Sequence, residues 1–412
     1  MSTTHAEMTV LRELARQVAE IAALPVQQEA IALWKALNAL APRRPMVMID
    51  QVPWHEMDVD GELTLQCGDE FCRGLETQLR RTLYRWRHMP ADFVVEAEVC
   101  VPKAIRSTGF GYARKEVTAA LDERNDVVGH AYIDQVRTEA DIEKIHAPEI
   151  SPDEQATAAA EARAHEIFDG LLGVRMCGRA PTYAPWDVIV QWRNPAAVLY
   201  DLADRPEFLH RLARRLTDAH LSMLDQLEEQ GLLADGQSWI HCTGAFTDEL
   251  PAPGFDPRRP RAADLWTFGM SQMFSSVSPA MHEEFELPYL APWFERFGLA
   301  YYGCCEPLDR KMPMVRKLPN VRKVSMSPWV DVERGAEAVG RDFVFSRKPS
   351  PALLATDEWN PGAVERDLRA TLEACRRHGC PVELILKDIS TVRYEPQRLW
   401  EWASIARRLA LE

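Results

Sequence analysis

The sequence lacks the features that would place the protein in a membrane or on a nucleic acid. No window approaches the roughly 18 consecutive apolar residues of a membrane helix, and residues 1–9 lack the basic stretch and apolar run of a secretory signal. Basic residues are in the minority, since 48 Lys and Arg against 62 Asp and Glu give a formal charge of −14. Such a charge repels phosphate backbones and anionic lipid. We therefore expect a cytoplasmic protein that binds neither nucleic acid nor membrane.

The cysteines and glycines lack the spacing of the common functional motifs. Nine cysteines, an odd number spread over 412 residues, predict reduced thiols rather than a disulfide framework, and no Asn-x-Ser/Thr acceptor suggests secretion. Walker A, Gly-x-Ser-x-Gly, His-Glu-x-x-His, EF-hand and paired Cys-x-x-Cys motifs are all absent. The usual signatures of phosphate, acyl and structural zinc chemistry therefore do not apply, and the thiols are free to act as ligands or nucleophiles.

The pattern that is present, long helices alternating with short apolar runs, predicts an α/β fold. Residues 8–40 predict two helices around Pro25, and residues 45–50 predict a buried parallel strand. Further helices are predicted at 75–87 and 206–230, and β-like pieces at 62–67 and 92–101. Strands are predicted at 238–242, 299–305, 322–326, 342–346 and 382–386.

This alternation predicts a (β/α)₈ TIM barrel with an N-terminal helical elaboration. The helical cap would span residues 1–44 and the barrel residues 45–412, with the topology of 45–150 left open. A doubly wound sheet is the rival, but the Gly109-Phe110-Gly111 segment lacks the third glycine of a dinucleotide-binding fingerprint.

Four predicted strands end in side chains that can carry chemistry, where a barrel places its active site. The residues at these ends are His241 and Cys242, then Cys304, Cys305 and Glu306, then Arg347 and Lys348, and finally Lys387 and Asp388. Imidazole and thiolate groups are good ligands for Zn²⁺, and adjacent residues of a strand point to opposite faces. For each group a structural role stays open: a buried thiol beside a hydrogen-bonded imidazole, a salt bridge that closes the barrel, or a solvated loop.

Three passages resemble the uroporphyrinogen decarboxylase superfamily, a TIM-barrel group that also contains corrinoid-linked methyltransferases. These passages are residues 186–207, residues 278–290 with the segment Ser278-Pro279 to Phe285, and Tyr302-Gly303-Cys304. The last falls where the zinc methyltransferases carry His-x-Cys, with Tyr302 in place of the histidine. Residues 43–50 do not reproduce the N-terminal segment of the true decarboxylases, so the resemblance favours the methyltransferase branch.

The resemblance implies an enzyme that moves a methyl group from an O- or N-methylated small molecule to a corrinoid carried by a partner protein. A homodimer is a further expectation. The predicted site residues are His241, Cys304 and Cys305 as zinc ligands, Glu306, Lys387 and Asp388 as catalytic groups, and Tyr302, Arg347 and Lys348 as substrate-binding groups. Two alternatives stay open, a metal-free decarboxylase and a non-catalytic barrel that binds a corrinoid or tetrapyrrole.

Overall fold

The computed structural model describes residues 3–120 and 128–412. The helices are α1 (His5–Ala22), α2 (Pro25–Asn38), α3 (Glu70–His88), α4 (Glu139–Ile142), α5 (Glu154–Phe168), α6 (Pro185–Arg193), α7 (Pro195–Asp204), α8 (Pro206–Glu229), α9 (Pro279–Phe294), α10 (Met312–Val315), α11 (Val332–Val339), α12 (Ala352–Ala355), α13 (Pro361–His378) and α14 (Gln397–Leu411). The strands are β1 (Met46–Ile49), β2 (Glu98–Pro102), β3 (Ile105–Ser107), β4 (Glu116–Ala119), β5 (Gly129–Tyr132), β6 (Ile150–Pro152), β7 (Gly173–Cys177), β8 (Trp239–Ile240), β9 (Thr243–Gly244), β10 (Trp266–Gly269), β11 (Leu299–Tyr302), β12 (Val321–Met326), β13 (Val344–Arg347) and β14 (Val382–Leu386).

Six parallel strands form the central sheet, in the order β1, β14, β13, β12, β11, β10. Helices α9 to α13 lie between the successive strands from β10 to β14, as expected for repeated βα units. All six strands are buried along nearly their whole length, because a parallel sheet is covered on both faces. Register is fixed by pairs such as Val47 with Leu384 and Val324 with Phe345.

The sheet is consistent with a TIM-barrel-like fold, so the predicted eight-stranded barrel is found in part. Within the described residues no strand joins β10 to β1, and the barrel is not closed by strand pairing. Extended segments continue the wall at both edges. Asp92 N–H donates to the Val47 carbonyl of β1 (2.8 Å), and Tyr183 N–H donates to the Phe268 carbonyl of β10 (2.9 Å).

The N-terminal helices are packed in two different places. Helix α1 contacts α3 and α5, and its Leu11 shares an apolar cluster with Leu79 and Ile167. Helix α2 packs against β1 of the sheet instead. Its Trp34 is fully buried there, and the indole N–H donates to the Asp92 carbonyl (2.8 Å). No helix of the described chain is both long and apolar enough to cross a bilayer.

Several local predictions are corrected by the structure. Residues 62–67 are turn and irregular chain rather than a strand, and the extended segment at 92–101 forms a strand only from Glu98 onward. Cys100 and Cys177 form a disulfide with their Cα atoms 5.8 Å apart, whereas reduced thiols were predicted. These two cysteines lie 77 residues apart and meet because β2 pairs with β7, a contact that cysteine spacing does not reveal.

Candidate functional site

Side chains that point into the barrel form a continuous hydrogen-bonded chain, which we call the inner chain. Lys348 Nζ donates to Tyr301 Oη (2.5 Å), Tyr301 Oη donates to Ser346 Oγ (2.7 Å), and Ser346 Oγ donates to Glu383. At the other end, Lys323 Nζ donates to Glu383 Oε2 (2.9 Å). All five residues are buried. Four of them lie on β11, β13, β14 and β12, and Lys348 directly follows β13, so the inner chain connects four strands across the barrel interior.

A glycine turn after β11 positions two thiols at the carboxyl end of the sheet. Gly303 has φ of +90°, and a Cβ atom there would lie 2.5 Å from Leu308 Cδ1, so the turn requires glycine. The buried Glu306 carboxylate accepts from the backbone N–H of Cys304 (2.9 Å) and from that of Ser271 (2.9 Å). Glu306 therefore holds the loop that carries the thiols and does not line the cavity beside them.

The predicted residues at the ends of β11 and β14 meet in one group, the mouth cluster of Cys304, Cys305, Lys387 and Asp388. Lys387 Nζ lies 3.0 Å from Cys304 Sγ and 3.1 Å from Asp388 Oδ2. The two sulfur atoms are 3.6 Å apart, and Cys305 Sγ is 3.8 Å from Asp388 Oδ2. The ligand atoms of the two thiols and the carboxylate all lie within 4.8 Å of one another.

The electrostatics of the mouth cluster favour a thiolate at Cys304. A hydrogen bond from Cys305 lowers the pKa of Cys304, and the Lys387 ammonium adds to this against the effect of burial. The same hydrogen bond, together with burial, raises the pKa of Cys305. Burial acts to lower the pKa of Lys387, but the charges of Cys304 and Asp388 outweigh it and raise that pKa. Cys304 is therefore the more acidic thiol, held beside a protonated lysine.

An open cavity of about 170 Å³ lies beside the mouth cluster. Its polar lining comes from the mouth cluster together with Lys348 and Ser350. Its apolar lining comes from Pro328, Trp329, Pro349, Pro351 and Ala352. Trp329 is 70% exposed, which is unusual for so large an apolar side chain. The cavity is thus lined both by cationic groups and thiols and by apolar side chains.

His241 lies near this region but outside the thiol and carboxylate group. His241 and Cys242 have φ of +37° and +68° and form the two-residue turn between β8 and β9, rather than the end of a longer strand. The His241 ring stacks on Phe268 with centroids 3.7 Å apart, and its Nε2 is buried without a hydrogen-bond partner. Burial and the charges of Lys348 and Lys387 hold the pKa of His241 well below its usual value.

Two predicted substrate-binding residues point away from the cavity. Tyr302 is buried between the sheet and the helices, where its hydroxyl contacts His282 Nε2 (2.8 Å). The Arg347 guanidinium binds the Ser327 carbonyl (2.5 Å) and the Asp367 carboxylate of α13 (3.4 Å). Side chains alternate along a strand, so the neighbouring residues Tyr301 and Lys348 face inward instead. Of the three predicted substrate-binding residues, only Lys348 lines the cavity.

Apart from Lys348, the residues of the inner chain were missed by sequence analysis. Lys323 lies within β12 and Glu383 within β14, and a charged residue inside a buried strand is the signal that could have identified them. Buried charges occur where they are paired, so opposite charges in two strands of one sheet indicate an ion pair or an interior site.

The fold is similar to that of a methyltransferase from Methanosarcina mazei. The two structures align with a TM-score of 0.50 at 12% identity, over 92% of this chain and 98% of that chain. No family model matches the chain. No curated protein matches it in sequence. At this low identity the likeness shows the fold alone.

Proposed function

We propose that the protein is a methyltransferase that moves a methyl group from an O- or N-methylated small molecule to a corrinoid carried by a separate protein. The observation that carries the proposal is the mouth cluster, two thiols and a carboxylate gathered beside a cavity at the carboxyl ends of the strands. In TIM-barrel enzymes the chemistry lies at this end of the sheet. The family resemblance and the similar fold supply the reaction class.

The mouth cluster has a suitable donor set for Zn²⁺. Two sulfur ligands of one tetrahedral zinc, each about 2.3 Å from the metal, lie about 3.8 Å from each other. The spacings from Cys305 Sγ to Cys304 Sγ (3.6 Å) and to Asp388 Oδ2 (3.8 Å) agree with this. Cys304, Cys305 and Asp388 would hold the metal and leave a fourth position for substrate, as catalytic zinc sites do. His241 remains a predicted ligand because its Nε2 is buried without a partner, and with it bound the substrate would enter as a fifth ligand.

Bound Zn²⁺ would act as a Lewis acid that withdraws charge from the donor oxygen or nitrogen. The residues of the chain prepare the site for this role. Lys387 stabilises Cys304 as a thiolate, the form that binds metal, and Glu306 holds the loop that carries Cys304. In the reaction, the bond from the donor atom to the methyl carbon would break with its electron pair staying on the donor atom, which would take up a proton from solvent. The reduced corrinoid of the partner protein would supply the electron pair of the new bond to the methyl carbon.

Zinc content tests the metal part of the proposal. We expect near-stoichiometric zinc by mass spectrometry in the purified protein, and a loss of most of it in Cys304→Ser and Asp388→Asn. Cys375→Ser is the matched control, because Cys375 is a buried thiol in α13 outside the cavity lining. His241→Ala shows whether the imidazole is a ligand. Full zinc in both Cys304→Ser and Asp388→Asn would contradict the assignment.

Methyl transfer to free reduced cobalamin tests the reaction itself, followed by the absorbance change that accompanies methylation. We expect turnover with an O- or N-methylated donor, with both activity and zinc lost after chelation and restored by added zinc. Decarboxylation of a carboxylated substrate that survives chelation would favour the metal-free alternative instead. No turnover of any methyl donor by zinc-loaded protein would contradict the proposal.

A further inference from the structure

Lys348 is a buried residue of the cavity lining, and in the described part of the chain its ammonium makes no ion pair with a carboxylate. The residue is 2% exposed, and its ammonium donates to the Tyr301 hydroxyl. Across the described part of the chain, no carboxylate lies within 4.0 Å of Lys348, whereas the buried Lys323 lies 2.9 Å from Glu383. A buried charge is costly unless an opposite charge compensates it. An anion in the cavity would therefore find a partner already in place.

The second cation of the cavity does not need such a ligand. Lys387 already lies 3.0 Å from Cys304 Sγ and 3.1 Å from Asp388 Oδ2. Its ammonium is thus compensated by side chains of the mouth cluster. An incoming anion is expected at Lys348 rather than at Lys387, on the side of the cavity formed by the end of β13.

The size and lining of the cavity restrict the rest of the ligand. An apolar cavity of roughly 150 Å³ is large enough to bind benzene, and this cavity measures about 170 Å³. Trp329 and three prolines form much of its wall, and such surfaces bind flat apolar groups. A molecule of about one ring fits this space, whereas a tetrapyrrole does not.

We propose that the methyl donor is a small carboxylate with an apolar body of single-ring size, its carboxylate bound by Lys348 and its body packed against Trp329. That the bound molecule is a methyl donor rests on the proposed function, whereas the binding site itself is inferred only from the cavity and from Lys348. The methylated atom would then face the mouth cluster. Lys348 is in this view a specificity-determining residue.

Isothermal titration calorimetry with benzoate and with benzyl alcohol, in the absence of corrinoid, measures the preference for an anion. We expect benzoate to bind at least about tenfold more tightly, as for a hydrogen bond to a charged group. Lys348→Met should remove the preference and Lys348→Arg should keep part of it. Lys317→Met is the matched control, because Lys317 is an exposed lysine paired with Glu283. Trp329→Ala should weaken the binding of both ligands.

Three outcomes would overturn the inference. These are equal affinity or no binding for both ligands, an unchanged preference for benzoate in Lys348→Met, and tighter binding of inorganic phosphate than of benzoate at the same site. The last would assign Lys348 to a phosphate instead of a carboxylate donor. If Lys348→Met does not fold, Lys348→Gln gives the same reading.

Binding and catalysis can fail separately. Because calorimetry uses neither methyl donor nor corrinoid, benzoate binding without any methyl transfer would leave the cavity assignment intact and remove the proposed function. Methyl transfer from 4-methoxybenzyl alcohol as fast as from 4-methoxybenzoate would support the proposed function and contradict the cavity assignment. Lys348 would then not favour a carboxylate donor.

Discussion

The interior and the mouth of the barrel each contain a buried lysine, and the two lysines differ in the groups that compensate their charge. In the interior, Lys323 donates to Glu383 Oε2 (2.9 Å), the Gly244 carbonyl (3.0 Å) and Thr243 Oγ1 (3.2 Å), so all three of its N–H groups have acceptors. At the mouth, Lys348 donates to the Tyr301 hydroxyl and has no carboxylate partner within the described structure. Both lysines belong to the same inner chain.

The difference separates a structural charge from a functional one. A pair that is satisfied on all sides, as Lys323 and Glu383 are, connects the strands and offers nothing to a ligand. A buried ammonium that borders a cavity is incompletely compensated in the free protein and can still bind an anion. Such locally destabilising groups are typical of binding sites. Substitution of either lysine tests whether Lys323 is structural and Lys348 is available to a ligand.

The largest effect is expected for Lys323→Met. This change leaves the fully buried Glu383 carboxylate without its cation, and breaking a buried ion pair in this way lowers the free energy of unfolding by about 3–5 kcal/mol. Urea unfolding measures the loss. The double variant Lys323→Met with Glu383→Leu removes both charges and should recover much of it. A single variant as stable as the wild type would show that the interior pair is not structural.

For Lys348→Met, we expect a change in the free energy of unfolding of opposite sign. Removal of an ammonium that is buried without a counter-ion should raise the free energy of unfolding of the ligand-free protein, by about 1–2 kcal/mol. Thermal unfolding with and without benzoate measures this, and benzoate should stabilise the wild type but not the variant. A melting temperature below that of the wild type would indicate that Lys348, like Lys323, is compensated within the protein.

The strands were predictable from the sequence to within a few residues. β11 to β14 are short buried parallel strands, and the runs predicted at 299–305, 322–326, 342–346 and 382–386 all contain or overlap a strand. Residues at the ends of these runs were predicted to carry chemistry, and the structure brings Cys304, Lys387 and Asp388 together. A barrel-like sheet gathers its strand ends, which makes such a prediction possible.

The direction of each side chain was not predictable. Tyr301 and Tyr302 are both tyrosines of one apolar run, and Arg347 and Lys348 are adjacent cations, so nothing in the sequence shows which of each pair faces inward. His241 was assigned to a strand end but lies in a two-residue turn, because β8 ends after Ile240. These details depend on register and on turn geometry, which are set by partners distant in sequence.

The smallest effect is expected in the pH dependence of stability, to which the Lys348 ammonium contributes. Burial and the charge of Lys387 lower the pKa of Lys348 to about 8, from an ordinary value of 10.5. Between these two values the unfolded chain binds a proton at Lys348 that the folded protein lacks. The free energy of unfolding therefore rises with pH over this window, by the linkage relation, and this rise is absent from Lys348→Met.

The stability advantage of the variant is consequently expected at pH 7 and should shrink as the pH approaches 10. The titratable and charged groups that face Lys348 are Lys387, Cys242, Glu383, Cys304, His241 and Tyr301. All of them are present in both proteins, so the difference between the two unfolding curves reports the titration of Lys348 together with its effect on these neighbours. A difference that stays constant from pH 7 to pH 10 would place the pKa of Lys348 at its ordinary value, and the mouth lysine would then lie in a compensated environment like that of Lys323.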